Sequence, residues 1–186
     1  MANYFGKIFT VFLAVLLLYI WPTSDALERQ DDISYLAAFK SVTTFVDSVR
    51  NKGYISPDMY SDFEYQLSLT GNIYEIEIEH KHKRYDPIYL DPSDPTTFQN
   101  RFNVNYEAFY KEQILPVIFP NNSLPKSDDS RKYKLTVGDY FSVKVKNKNK
   151  TMAGQLRDFL NGGLGSENNT RILIPYGGMV TNEDYE

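Results

Sequence analysis

The two histidines of this chain, His80 and His82, lie two residues apart in and just beyond a segment of strictly alternating character, Ile73 to Lys81. On a strand, that spacing puts both imidazoles on one face, where they could chelate zinc or copper. A metal needs a third or fourth ligand, and Glu77 and Glu79 fall on the opposite face. No metal is therefore expected, with His80 and His82 standing as the one candidate pair. The plainer reading packs one ring at the strand edge and lets the other begin a basic turn. Lys144, Lys146, Lys148 and Lys150 alternate in the same way and form a basic stripe. It is either a contact for a polyanion such as a teichoic-type polymer, or a solvated face whose charges discourage edge-to-edge pairing. Carboxylates are plentiful, yet no feature selects two of them for glycosidase-type chemistry. The chain has no cysteine, which excludes disulfides, thiol nucleophiles and thiolate metal sites. No catalytic residue and no cofactor is expected, and no small-molecule substrate is indicated.

These groups belong to 186 residues, enough for one domain with an appendage. A net charge of −4 gives no basic field, so no nucleic-acid partner is expected. Fifteen tyrosines beside 12 phenylalanines suit either surfaces that contact other proteins or plain β-structure.

The first thirty residues bear on compartment. Lys7 precedes an apolar run from Ile8 to Trp21, in which Ile8, Val11, Phe12, Leu13, Leu16, Leu17, Ile20 and Trp21 form the body of a membrane segment. The run is marginal for a span and well sized for the apolar region of a signal peptide. Positive charge before it and Asp25, Glu28, Asp31 and Asp32 after it predict a single-pass protein of the cell membrane, amino end cytoplasmic and the rest extracellular. Ser24 and Ala26 offer a signal-peptidase site, so a chain cleaved after Ala26 and released as a wall- or protein-binding module is the alternative.

Behind this segment, Tyr35, Phe39, Val42, Val46 and Val49 recur at spacings of four and three, a heptad-like stripe on a helix from Leu27 to Asn51 with Gly53 just past its end. If Pro22 is tolerated, the two helices are one, and its stripe is a candidate face for lateral assembly. Ser56-Pro57-Asp58 starts a second helix that Gly71 closes. Strands are expected at 73–81, 138–146 and 170–175, and a loop at 85–97. Asn103 or Asn105 is expected to open a helix running through Gln113, and Thr151 one that ends at Gly162-Gly163. Gly177-Gly178 reads as a turn. The fold class is α+β: a hydrophobic helix continuing into an amphipathic one, then a small antiparallel sheet of about three strands with short helices. Residues 1–24 are anchor or signal, 25–53 stem, and 54–186 an exported head.

Phe45-Val46-Asp47-Ser48-Val49-Arg50-Asn51-Lys52-Gly53-Tyr54, followed by Thr70-Gly71-Asn72-Ile73-Tyr74 and Glu77-Ile78-Glu79-His80-Lys81-His82-Lys83, resembles a family of small exported proteins of Gram-positive bacteria. That family is associated with Tad-type and type IV pilus-like assembly clusters and is similar to pseudopilins or minor pilins. Gly138-Asp139-Tyr140-Phe141 and Tyr176-Gly177-Gly178-Met179 extend the likeness. The resemblance implies a pilin-like subunit without catalysis, whose partners are other pilin-like subunits, membrane proteins of the assembly machine and the lipid bilayer. Type IV prepilins carry a glycine at their peptidase site and an acidic residue five positions on. Gly6 fits the first place, whereas Val11 fills the second.

Overall fold

A computed structural model describes residues 2–121, 123–162 and 171–185. Gly163 and Thr170, named above at a helix end and a strand start, lie outside the described residues. The chain opens with α1, Ala2–Lys52, one helix of 51 residues with Pro22 inside it. Pro22 removes a single backbone donor and leaves the Leu18 carbonyl without its i+4 partner. The adjacent Thr23 hydroxyl, and that of Thr10 farther toward the amino end, return their hydrogen bonds to the Tyr19 and Gly6 carbonyls within the helix. Apolar segment and stem are thus continuous.

Strand β1, Tyr54–Ile55, leads to α2, Pro57–Ser68, capped where the Ser56 side chain accepts from the Met59 N–H. Next come β2, Tyr74–Tyr89, and β3, Phe98–Tyr110, joined through a 3-10 turn at Pro95–Thr97. Helix α3, Lys111–Ile118, and a 3-10 turn at Asp129–Arg131 precede β4, Tyr133–Lys134. Strand β5, Tyr140–Asn147, helix α4, Met152–Leu160, and β6, Leu173–Met179, complete the order. The sheet is antiparallel in the order β3-β2-β5-β6, with β1 and β4 forming a separate two-stranded pair. The architecture is α+β, with four strands in the main sheet where the sequence suggested three.

Helices α1 to α3 cover one face of this sheet. Ala38, Val42, Phe45, Val46 and Val49 of α1 join Tyr60, Phe63 and Leu67 of α2, and Ile114 and Ile118 of α3. They meet Ile76, Ile78, Phe141, Val143, Val145 and Ile174 from the strands in a single core. At roughly 1.5–3 kcal/mol per fully buried large side chain, this layer dominates the folding energy. Phe45 is its hub, stacked on Phe63 at 4.5 Å and edge-on to Tyr60 and Phe141. The second half of α1 is therefore core to the globule, and a boundary at 53/54 runs through that core.

Four local expectations change. The helix expected from Asn103 or Asn105 is β3, because Phe102, Val104, Tyr106 and Ala108 alternate with Asn103, Asn105 and Glu107, a period of two. Helix begins only at Lys111 and runs on past Gln113 and Pro116 to Ile118, since a short helix loses only one bond at the proline. The loop expected from Tyr85 instead begins after Tyr89. Pro87 is tolerated in β2 because beyond Lys81 the strand pairs only with β3, so one side needs no donor. Gly177-Gly178 does not turn but lies in β6. A Cβ on Gly177 would fall 2.6 Å from Ser142 Cβ, and one on Gly178 2.5 Å from the Arg50 guanidinium, so close approach explains both glycines.

The carboxyl-terminal segment closes α1. Thr181 N–H donates to the Arg50 carbonyl at 2.9 Å and Asp184 N–H to that of Lys52 at 2.8 Å, satisfying last-turn acceptors. Gly53, at φ 74°, supplies the left-handed residue that ends the helix.

Candidate functional site

From Tyr4 to Trp21, α1 presents its side chains outward: Ile8, Val11, Phe12, Leu13, Leu16, Leu17 and Trp21 are exposed, and Ile20 is half-exposed. The helix is long and apolar enough to cross a membrane, a property that signal sequences share. Between Lys7 and Asp25 there is no charged side chain to oppose transfer into lipid.

The stem face divides. Val42, Val46 and Val49 are fully buried against the chain's own sheet, so their place in an assembly surface is corrected. The inner faces of β5 and β6 need an apolar cover, and this stripe supplies it. Tyr35 and Phe39 remain 39% and 40% exposed, stacked with ring centroids 6.3 Å apart. Ile33 and Leu36, which the heptad pattern passes over, are more exposed still. The apolar surface left open on the stem is thus Ile33, Tyr35, Leu36 and Phe39. Below it, Asp31 fixes the stem to the head: its Oδ2 accepts from the Thr151 hydroxyl at 2.7 Å and pairs with Arg171 Nε at 3.2 Å. Glu28 pairs with Arg157 at 2.8 Å.

The basic stripe is neutralised at home. Lys144 meets Glu77 at 3.1 Å, and Lys146 bridges Glu75 and Glu77 at 3.0 Å each. Lys148 lies 3.9 Å from Glu75, and Lys150 pairs with Asp158 at 2.5 Å. Hydrogen bonds from Lys146, and for Glu77 also from Lys144, hold both glutamates below the usual carboxylate range. A polyanion would have to displace these acids, so the stripe is a set of ion pairs, cross-strand at Lys144 and Lys146 and to α4 at Lys150, rather than an open basic surface.

The histidines are brought together with a residue that sequence reasoning missed. Asp139, 1% exposed, occupies the turn entering β5. Its Oδ2 lies 2.9 Å from His80 Nε2, and its Oδ1 lies 3.0 Å from His82 Nδ1. Backbone N–H groups of Lys83 and Thr136 donate to Oδ1 and Oδ2 at 2.9 and 2.8 Å. His80 Nδ1 faces the Tyr133 hydroxyl at 2.8 Å, and its ring stacks on Phe109. Burial works to raise the Asp139 carboxyl, but the two backbone donors and the two imidazoles outweigh it and hold it low. Burial pushes the His80 imidazole down, against the pull of Asp139. It also lifts the Tyr133 phenol to about 12, with the Asp139 charge adding to the effect.

A signal for Asp139 existed. The glutamate–lysine ladder pairs Glu77 with Lys144, and carrying that register outward puts His80 opposite Phe141 and His82 level with Asp139. Among the described residues, His80, His82 and Asp139 are the one group of three His, Cys, Asp or Glu side chains placed to hold a metal ion. Comparison with protein-family models, curated proteins and solved structures gives no match to this chain.

Proposed function

We propose that this protein is a non-enzymatic, pilin-like subunit, held in the cell membrane by the first half of α1 and packed against other subunits along that helix, with the α+β head outside the cell. One observation carries the reading: α1 is a single helix whose first half is an exposed apolar rod and whose second half is the core of the head. A rod built into its head cannot swing away from it, so whatever grips the rod also sets the head's position. The likeness at Phe45–Tyr54 and Glu77–Lys83 supports the same reading, as does the charge asymmetry across the apolar run. Ile33, Tyr35, Leu36 and Phe39 would continue the lateral contact above the lipid surface.

The absence of cysteine makes the test clean. Single cysteines at Ile33 and Leu36 should give oxidised dimers in intact cells and react with membrane-impermeant thiol reagents. A buried control at Val46 should do neither. A mature amino terminus at Leu27, or no cross-link from either exposed position while the chain remains in membranes, overturns the proposal.

A further inference from the structure

His80 and His82 lie on β2 where that strand parts from β5, and Asp139 faces them from the turn before β5. Their ligand atoms all lie within 4.8 Å of one another. A tetrahedral zinc ion bonds at about 2.0–2.1 Å, so its ligand atoms stand roughly 3.3 Å apart. Asp139 is already near that spacing from both rings. The remaining adjustment falls on His82, the more exposed of the two rings, held to Asp139 through Nδ1. The groups that usually steady a metal's ligands are also in place. Tyr133 sits on the far nitrogen of His80, and each Asp139 oxygen holds a backbone N–H.

The geometry points to a three-ligand site for a divalent transition metal of the zinc class, made by His80 Nε2, His82 Nδ1 and an Asp139 oxygen, with a fourth position open to water on the His82 side. No buried proton need be lost on loading. The His80 proton moves from Nε2 to Nδ1, where the Tyr133 oxygen accepts it, because a phenol both donates and accepts. The His82 proton moves to Nε2 of its half-exposed ring. Metal would replace the imidazole–carboxylate hydrogen bonds with three coordinate bonds and staple the root of the β2–β3 hairpin to the turn before β5. The site is independent of the stem, so its failure leaves the membrane reading untouched.

The test uses the full chain in detergent, stripped by a chelator and titrated with Zn²⁺. One equivalent should bind, His82→Ala should weaken it at least about 100-fold, and Tyr133→Phe about 10-fold. Co²⁺ in place of zinc should give the intense visible absorption of a four-coordinate ion. Because the chain has two histidines, imidazole NMR signals report on the wild type without any variant, and both must shift within the first equivalent. Zinc uptake equal in wild type and His82→Ala, or imidazole signals unmoved at one equivalent, overturns the site.

Discussion

The Thr151 hydroxyl lies 2.7 Å from Oδ2 of Asp31, joining residues 120 apart in sequence, and both side chains are buried. Thr151 is also the cap of α4, accepting from Gly154 N–H at 3.2 Å, and Arg171 reaches the same Asp31 oxygen. One carboxylate therefore holds a helix start and the approach to β6 against the stem. Asp31→Ala leaves a hydroxyl and a guanidinium without their acceptor, and the expected cost is about 1–3 kcal/mol. Asp31→Asn, which keeps an acceptor, should lose less. Urea unfolding of both variants measures the difference, and equal stabilities would remove Asp31 from this role.

Phe45→Ala removes the ring on which Phe63 stacks and against which Tyr60 and Phe141 pack edge-on. A cavity at that hub is expected to cost about 3–5 kcal/mol. The matching change at exposed Leu36 should cost little, so the pair of midpoints distinguishes core from open surface along one helix.

Gly177 and Gly178 should differ in tolerance. A Cβ at Gly177 meets Ser142 Cβ and the Phe141 carbonyl, groups that cannot move without breaking β5–β6 pairing. At Gly178 it meets the end of the Arg50 side chain, which can swing aside at the loss of its 2.9 Å bond to the Met179 carbonyl. Gly177→Ala is expected to destabilise by about 1–3 kcal/mol and Gly178→Ala by less. Thermal unfolding that ranks them the other way would refute the close-approach account.

Tyr60 is buried, and its hydroxyl makes no hydrogen bond of normal geometry. Burial first, then the Glu64 carboxylate, raises its pKa above the ordinary value of 10. Tyr60→Phe is thus expected to be neutral or to stabilise by up to about 1 kcal/mol near pH 7. The sign at high pH follows from proton counts. Above about pH 10 the unfolded chain loses this proton while the folded chain keeps it, so stability falls as pH rises. That slope should be shallower in Tyr60→Phe, as measured by denaturant midpoints between pH 9 and 11.

Periodicity carried most of the fold. The four-and-three spacing from Tyr35 to Val49 gave the stem, and Ser56 and Thr151 marked helix starts that their side chains do cap. The glutamate face of β2 and the lysine face of β5 do meet, in a pairing that their opposite charges favour. Periodicity could not say what covers a stripe. Val42, Val46 and Val49 look the same facing a neighbour or their own sheet, and only the sheet's position decides. Prolines and asparagines masked the β2–β3 hairpin, because a strand with one free side accepts residues that a central strand would refuse. Asp139 escaped notice because its partners are 56 to 59 residues away in sequence.

Trp21 and Asp31 stand ten residues apart on an uninterrupted helix, about 15 Å along its axis. Under the proposed membrane placement, with the tryptophan at the headgroups, the globule would start barely half a bilayer's thickness above the lipid, on a strut rather than a leash. So placed, the globule could not fish for distant ligands: its reach would be whatever height the proposed neighbours lift it to, and extraction of the rod would raise the whole globule in step, residue for residue.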